Sequence, residues 1–106
     1  MEEAIEKLRA FRDARDWKKF HNPKDLALAL SIESSELLEV FLWKSAEEAD
    51  IAKVREELAD VLAYALLLAD NYGLDPQQIV LDKITLNEAK YPVEKAKGTA
   101  RKYTEL

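Results

Sequence analysis

LALALSIESSELLEVFLW, residues Leu26–Trp43, decides the fold. At about 100° per residue, Leu26, Leu30, Leu37 and Val40 fall on one helical face, and Glu33 falls inside the arc they define. Residues at i and i+3 share a helix face, so Glu33 and Glu36 project to one side. A second stretch repeats the arrangement. In VREELADVLAYALLLA, Val54–Ala69, Glu57 and Asp60 fall between Val61, Leu67 and Leu68, with Tyr64 on the same side. Charges embedded in a core-facing stripe are costly unless they are paired or bound to metal, so these two acid pairs mark where function is to be sought.

The rest of the chain reads as helix around these two segments. Ile5, Leu8 and Phe11 have core spacing and predict a helix over 2–15. Asn22-Pro23 is an N-cap followed by proline at the first helical position, and predicts a second helix running to Trp43 or Lys44. Ser45-x-x-Glu48 reads as a capping box opening a third helix, with Gly73 as its terminator after Tyr72. Asp75-Pro76 starts a fourth helix, which ends near Lys90 because Pro92 follows. No stretch alternates like a strand. The expected architecture is all-α: a four-helix core in residues 1–92, with a polar tail at 93–106. The short connection between the second and third helices makes them antiparallel, so both acid pairs meet across one groove. From Leu58 to Ala69 the third helix is apolar almost all round, which predicts burial on every side and hence a homo-oligomer.

Composition narrows the chemistry. The 106 residues are 48% hydrophobic and 35% charged, which fits one ordered, helix-rich domain. There is no cysteine, so disulfides and cysteine-based zinc sites are excluded and a reducing cytoplasm is the natural setting. The longest apolar run falls far short of the roughly 20 residues of a membrane span. The charged, amphipathic start is unlike a signal peptide. A formal charge of −5 argues against nonspecific binding to nucleic acid polymers, although cations can adapt such a surface to a nucleotide. Basic residues collect late, at Lys83, Lys90, Lys95, Lys97, Arg101 and Lys102.

Charged residues at helical spacing are ordinarily a solvated face, and Glu2, Glu3, Glu6, Glu47 and Glu48 fit that description. Glu33, Glu36, Glu57 and Asp60 do not. Four carboxylates in one groove suit hard cations, Mg²⁺ or Mn²⁺, which take oxygen ligands and retain waters that substrate phosphates can replace. His21 is the only histidine, so a soft-metal site is not expected, and the Glu-x-x-His motifs of di-iron bundles are absent.

The order Glu-x-x-Glu, spacer, Glu-x-x-Asp resembles the signature of the all-α nucleoside triphosphate pyrophosphohydrolases, the MazG-like superfamily. The likeness extends through Phe20-His21-Asn22-Pro23, Phe41-Leu42-Trp43-Lys44, Glu56 to Tyr64, Lys83 to Asn87 and Tyr91-Pro92-Val93, and is nearest to the dCTP pyrophosphatase branch. Many relatives carry two adjacent acids where Ile32 precedes Glu33 here; the dCTP branch has one. The resemblance implies that Glu33, Glu36, Glu57 and Asp60 ligate Mg²⁺ and that a metal-activated water attacks the α-phosphorus. Products would be a nucleoside monophosphate and pyrophosphate, in a nucleotide house-cleaning role. It also implies an oligomer, a dimer or a dimer-of-dimers tetramer, with sites shared between subunits.

By the same resemblance, Trp17 and Trp43 enclose the base, His21 contacts the pyrimidine edge and Tyr64 packs on the deoxyribose. Lys83, Asn87 and Lys90 engage sugar or phosphates. Read without the family, the tryptophans are hydrophobes closing the ends of a bundle, and Lys83 with Asn87 is a polar pair at a helix edge. The expected substrate is dCTP or a modified dCTP, with dUTP, dTTP or a noncanonical nucleotide as alternatives. A noncatalytic helical oligomer that binds nucleotide or a partner protein is the reading from a different class.

Overall fold

A computed structural model describes all residues, 1–106, and every regular element in it is helical. The helices are α1 (Glu2–Ala14), α2 (Pro23–Glu39), α3 (Ile51–Asn71), α4 (Pro76–Lys90) and the single turn α5 (Val93–Ala96). Short 3₁₀ turns lie at Lys18–Phe20, Ala46–Glu48 and Tyr103–Glu105. The chain divides into two compact units, Met1–Leu74 and Asp75–Leu106.

Local chemistry accounts for most of the boundaries. The Asn22 side chain accepts from the Asp25 amide at 2.9 Å, with Pro23 filling the first position, where no donor is needed. Asp75 does the same for α4, accepting from the amides of Gln77 and Gln78 at 2.9 and 3.1 Å. After α3 the Leu74 amide reaches Ala69 O at 2.9 Å and the Gly73 amide reaches Asp70 O at 3.0 Å. This Schellman closure places Gly73 at φ 68°, a conformation that costs glycine nothing.

Two boundaries differ from expectation, for a common reason. Helix α2 stops at Glu39 rather than at Trp43 or Lys44, and residues 40–44 wind on through i→i+3 bonds such as Phe41 N to Leu38 O at 3.0 Å. The chain then reverses at Trp43, which adopts φ 60°. The Ser45–Glu48 capping box forms, but it opens only the 3₁₀ turn. Helix α3 begins at Ile51 behind a second cap, Asp50, whose side chain accepts from Ala52 N at 3.0 Å. The reversal needs about ten residues with no helical continuity, and two consecutive caps supply its two corners.

Within Met1–Leu74, α2 and α3 form an antiparallel hairpin. Its open end is tied by Asn71 Nδ2, which donates to His21 O at 2.9 Å. The stripe predicted for α2 is the buried one: Leu26 is 2% exposed, and Leu30, Glu33, Leu37 and Val40 are all half-buried. It packs on α3, whose buried residues are Leu66, Leu67 and Ala69. Helix α1 runs in the same direction as α3. Near its end Arg9 Nε donates to both carboxylate oxygens of Asp70, at 3.0 and 3.1 Å. The apolar all-round character of α3 is not matched by burial within the chain, since Leu58 is 43% and Leu62 50% exposed.

Within Asp75–Leu106, residues 93–106 are not featureless. Tyr103 packs edge-on against Tyr91 with ring centroids 6.0 Å apart, and Lys90 Nζ lies 4.8 Å from the Tyr103 ring. Helix α4 buries no residue fully.

Candidate active site

The α2–α3 hairpin brings Glu33, Glu36 and Glu57 together: one carboxylate oxygen from each lies within 4.8 Å of the other two. Asp60 lies outside that limit, one turn further along α3. Its charge nevertheless reaches Glu33 and Glu57, helping to raise the pKa of both. Glu33 is pushed up to about 7, chiefly by burial, then by hydrogen bonding with Glu36 and by the charges of Glu36, Asp60 and Glu57. Glu57 is raised too, by burial and then by the charges of Glu36, Asp60 and Glu56. Glu33 Oε2 and Glu57 Oε2 are buried and have no hydrogen-bond partner. No ion pair in the chain involves any of these acids.

Orphaned buried carboxylate oxygens are uncommon and costly, which makes this cluster a demand for positive charge. The donor set is entirely oxygen. Two oxygens on one Mg²⁺ stand at most about 4.2 Å apart, so the cluster needs only a small side-chain adjustment to take a hard cation. The residues present therefore fit a divalent metal.

A recess of about 250 Å³ opens beside the acids, lined among others by Phe11, Arg12, Trp17, His21, Asp60 and Tyr64. Asp60 links it to the acid cluster. Trp17 packs edge-on against Phe11 with centroids 5.8 Å apart, and His21 lies edge-on to Tyr64 at 6.4 Å. His21 Nδ1 is buried without a partner. Burial, followed by the charge of Arg12, lowers the pKa of His21 below its usual value, so the ring is neutral near pH 7. The Tyr64 hydroxyl is raised by burial and then by the charges of Glu33, Asp60 and Glu36, so it remains a protonated donor.

Trp43 does not join this recess: it stands 92% exposed at the α2–α3 reversal. Lys83 and Asn87 lie one turn apart on α4 and line a separate hollow with Ile79, Val80 and Ile84, within the Asp75–Leu106 unit. Lys90, at the end of α4, lies against Tyr103.

Arg12 was not among the residues expected at a site. It is 8% exposed and the one buried charged residue of the chain. Its Nε donates to Asp13 Oδ1 at 2.8 Å, and Nη1 stands 3.9 Å from Asp70 Oδ2. The signal for it was present in the spacing, because Arg12 follows Leu8 by four and Ile5 by seven. A charge therefore interrupts the stripe of α1, as Glu33 interrupts that of α2.

Comparison with known proteins follows the same lines. The MazG-like family model matches residues 28–106. dCTP pyrophosphatase 1 of mouse and of human are each 42% identical over 113 aligned residues, covering 98% of this chain and 66% of either relative. The bovine protein of the same name is also 42% identical, with 98% and 67% covered. The chain thus spans about two thirds of the length of these relatives. Among solved structures, a pyrophosphatase from Archaeoglobus fulgidus superposes with a TM-score of 0.81 at 46% identity, covering 87% of this chain and 92% of that one. An all-helical hairpin carrying an acid cluster, together with matches of this extent, shows that the chain belongs to the MazG-like family.

Proposed function

We propose that the protein is a divalent-cation-dependent nucleotide pyrophosphohydrolase that converts dCTP, or a modified dCTP, to dCMP and pyrophosphate. One observation carries the reading. An all-oxygen acid cluster with unsatisfied buried oxygens adjoins a recess walled by aromatic rings, and Asp60 borders both. The relatives named dCTP pyrophosphatase 1 support the choice of base and reaction.

Glu33, Glu36 and Glu57, with Asp60 beside them, would hold the cation. When bound, Mg²⁺ would offset the charge of the triphosphate and polarise its phosphoryl oxygens. The protein's own groups do the rest. Trp17 and Tyr64 offer ring faces and edges to a base, and such stacking contributes about 1–3 kcal/mol per base. Tyr64, reaching both the recess and the acids, stands where base and phosphates join and packs on the deoxyribose. In the hydrolysis a water oxygen bonds to the α-phosphorus while the bond from that phosphorus to the bridging oxygen breaks. Pyrophosphate then leaves, and a carboxylate of the acid cluster takes the water proton. In this reading Trp43, Lys83, Asn87 and Lys90, none of which lines the recess, would reach base and phosphates from a further copy of the chain. The exposed apolar residues of α2 and α3, Leu28, Ile32, Leu58 and Leu62, are covered by further copies of the chain in a homo-oligomer.

The test is a panel of nucleoside triphosphates with Mg²⁺, scored for pyrophosphate and orthophosphate, on the natural sequence and on Glu57→Gln. Pyrophosphate release from dCTP, lost in the variant while helicity is retained, is the expected result. Orthophosphate as the sole product would rule out attack at the α-phosphorus. Full activity in Glu57→Gln would remove the acids from the catalytic role.

A further inference from the structure

The buried guanidinium of Arg12 has no place in the reaction outlined above. One side of the group is occupied: Nε bonds to Asp13, and Nη1 faces Asp70 at 3.9 Å. Neither Nη donates a hydrogen bond, and Arg12 lines the recess beside Trp17, His21 and Tyr64. A second group on the same wall, His21 Nδ1, is buried and unpartnered. An aromatic recess with two unfulfilled polar groups is complementary to a flat ring that carries polar atoms on its edge.

We propose that Arg12 binds the base, its Nη groups donating to the O2 and N3 acceptors of cytosine. The proposal rests on the nucleotide reading above and adds the basis of base selection. Guanidinium is a planar fork of N–H donors with no acceptor. Cytosine presents two adjacent acceptors, O2 and N3, that suit such a fork. Uracil and thymine keep O2 but carry a hydrogen on N3, so a donor would oppose a donor. The pairing thus favours cytosine by attraction and disfavours the other pyrimidines by mismatch, the two ways in which specificity is built. A phosphate is a poorer occupant, because Phe11 and Trp17 wall the recess and leave Arg12 as its one cation. Asp13 and Asp70 keep the buried charge balanced in the absence of ligand.

The test is calorimetric titration of the intact protein with dCMP, dUMP and deoxyribose 5-phosphate, repeated on Arg12→Met, which keeps the length and apolar stem of the side chain. The expected result is a loss of about 10- to 100-fold in dCMP affinity, the range of a charge-assisted hydrogen bond, with a smaller loss for dUMP and none for deoxyribose 5-phosphate. Equal losses for dCMP and dUMP, or a loss for deoxyribose 5-phosphate, would overturn the assignment to the base edge. Unchanged dCMP affinity would overturn it outright. A second arm needs no variant: the monophosphate of 3-deazadeoxycytidine, in which C–H replaces N3, is expected to bind the natural protein at least 10-fold more weakly than dCMP. Equal binding would refute the proposal even if Arg12→Met failed to fold. These readouts do not depend on hydrolysis. Absence of pyrophosphate release with Arg12-dependent dCMP binding would sink the enzymatic reading alone, and the reverse pattern would sink only this one.

Discussion

Glu33→Gln should make the metal-free protein more stable, and by an amount that depends on pH. In the folded chain the Glu33 carboxyl titrates at about 7, against an ordinary value of 4.5. Below pH 4.5 the group is neutral whether the chain is folded or not, and it costs nothing. Between 4.5 and 7 the unfolded chain gives up its proton first, so stability falls as pH rises; above 7 the cost is complete. At about 1.4 kcal/mol per pH unit, the displacement bounds that cost at about 3.5 kcal/mol. Solvent access to the cluster reduces the expected gain to about 1–2 kcal/mol. Urea denaturation at pH 8 in EDTA should show it as a raised midpoint at unchanged slope. At pH 4.5 the natural sequence and the variant should nearly coincide. With Mg²⁺ at pH 8 the order should invert, because the cation stabilises the natural protein by binding its folded form and the variant has lost a ligand. A variant no more stable than the natural sequence at pH 8, or equally more stable at both pH values, would refute the claim that crowded, partly buried charge is stored at this site.

Leu26→Ala should cost about 2–5 kcal/mol, because Leu26 at 2% exposure is the most deeply buried side chain and its loss leaves a cavity between α2 and α3; thermal denaturation measures it. Gly73→Ala should cost about 1 kcal/mol through its φ of 68° alone, with catalysis unchanged, since a Cβ there meets no atom within 4 Å. Trp43→Ala should shift the urea midpoint by less than the equivalent of about 0.5 kcal/mol, as expected of a side chain 92% exposed, while raising the KM for dCTP. Equal KM values would remove Trp43 from base binding.

The parts of the fold legible in the sequence were those determined by neighbouring residues. Asn22-Pro23, Asp75-Pro76 and Gly73 each act within one turn, and each boundary falls where those residues place it. The end of α2 was not legible, because no glycine or proline marks Glu39 and a tryptophan takes the left-handed position. The gathering of Glu33, Glu36 and Glu57 follows from helical periodicity plus an antiparallel hairpin, both readable from spacing. The wider separation of Asp60 depends on how far α3 is rotated against α2, which periodicity does not determine. Arg12 was hidden for a related reason: a charge in a stripe looks like an error in the pattern until Asp70, on another helix, is seen to face it.

The two tryptophans sit in opposite surroundings, and the difference makes them separable optical reporters. Trp17 packs edge-on against Phe11 and is 42% exposed, whereas Trp43 is 92% exposed at the hairpin reversal. An indole held in water emits at longer wavelength than one against hydrocarbon. Whatever comes to cover the reversal, whether base or another copy of the chain, must displace the water around Trp43 and move its emission toward the blue. Occupancy of the recess falls on Trp17 instead. Single replacement of either residue by phenylalanine would leave one emitter for each event, so ligand entry and coverage of the reversal could be timed independently in the same protein.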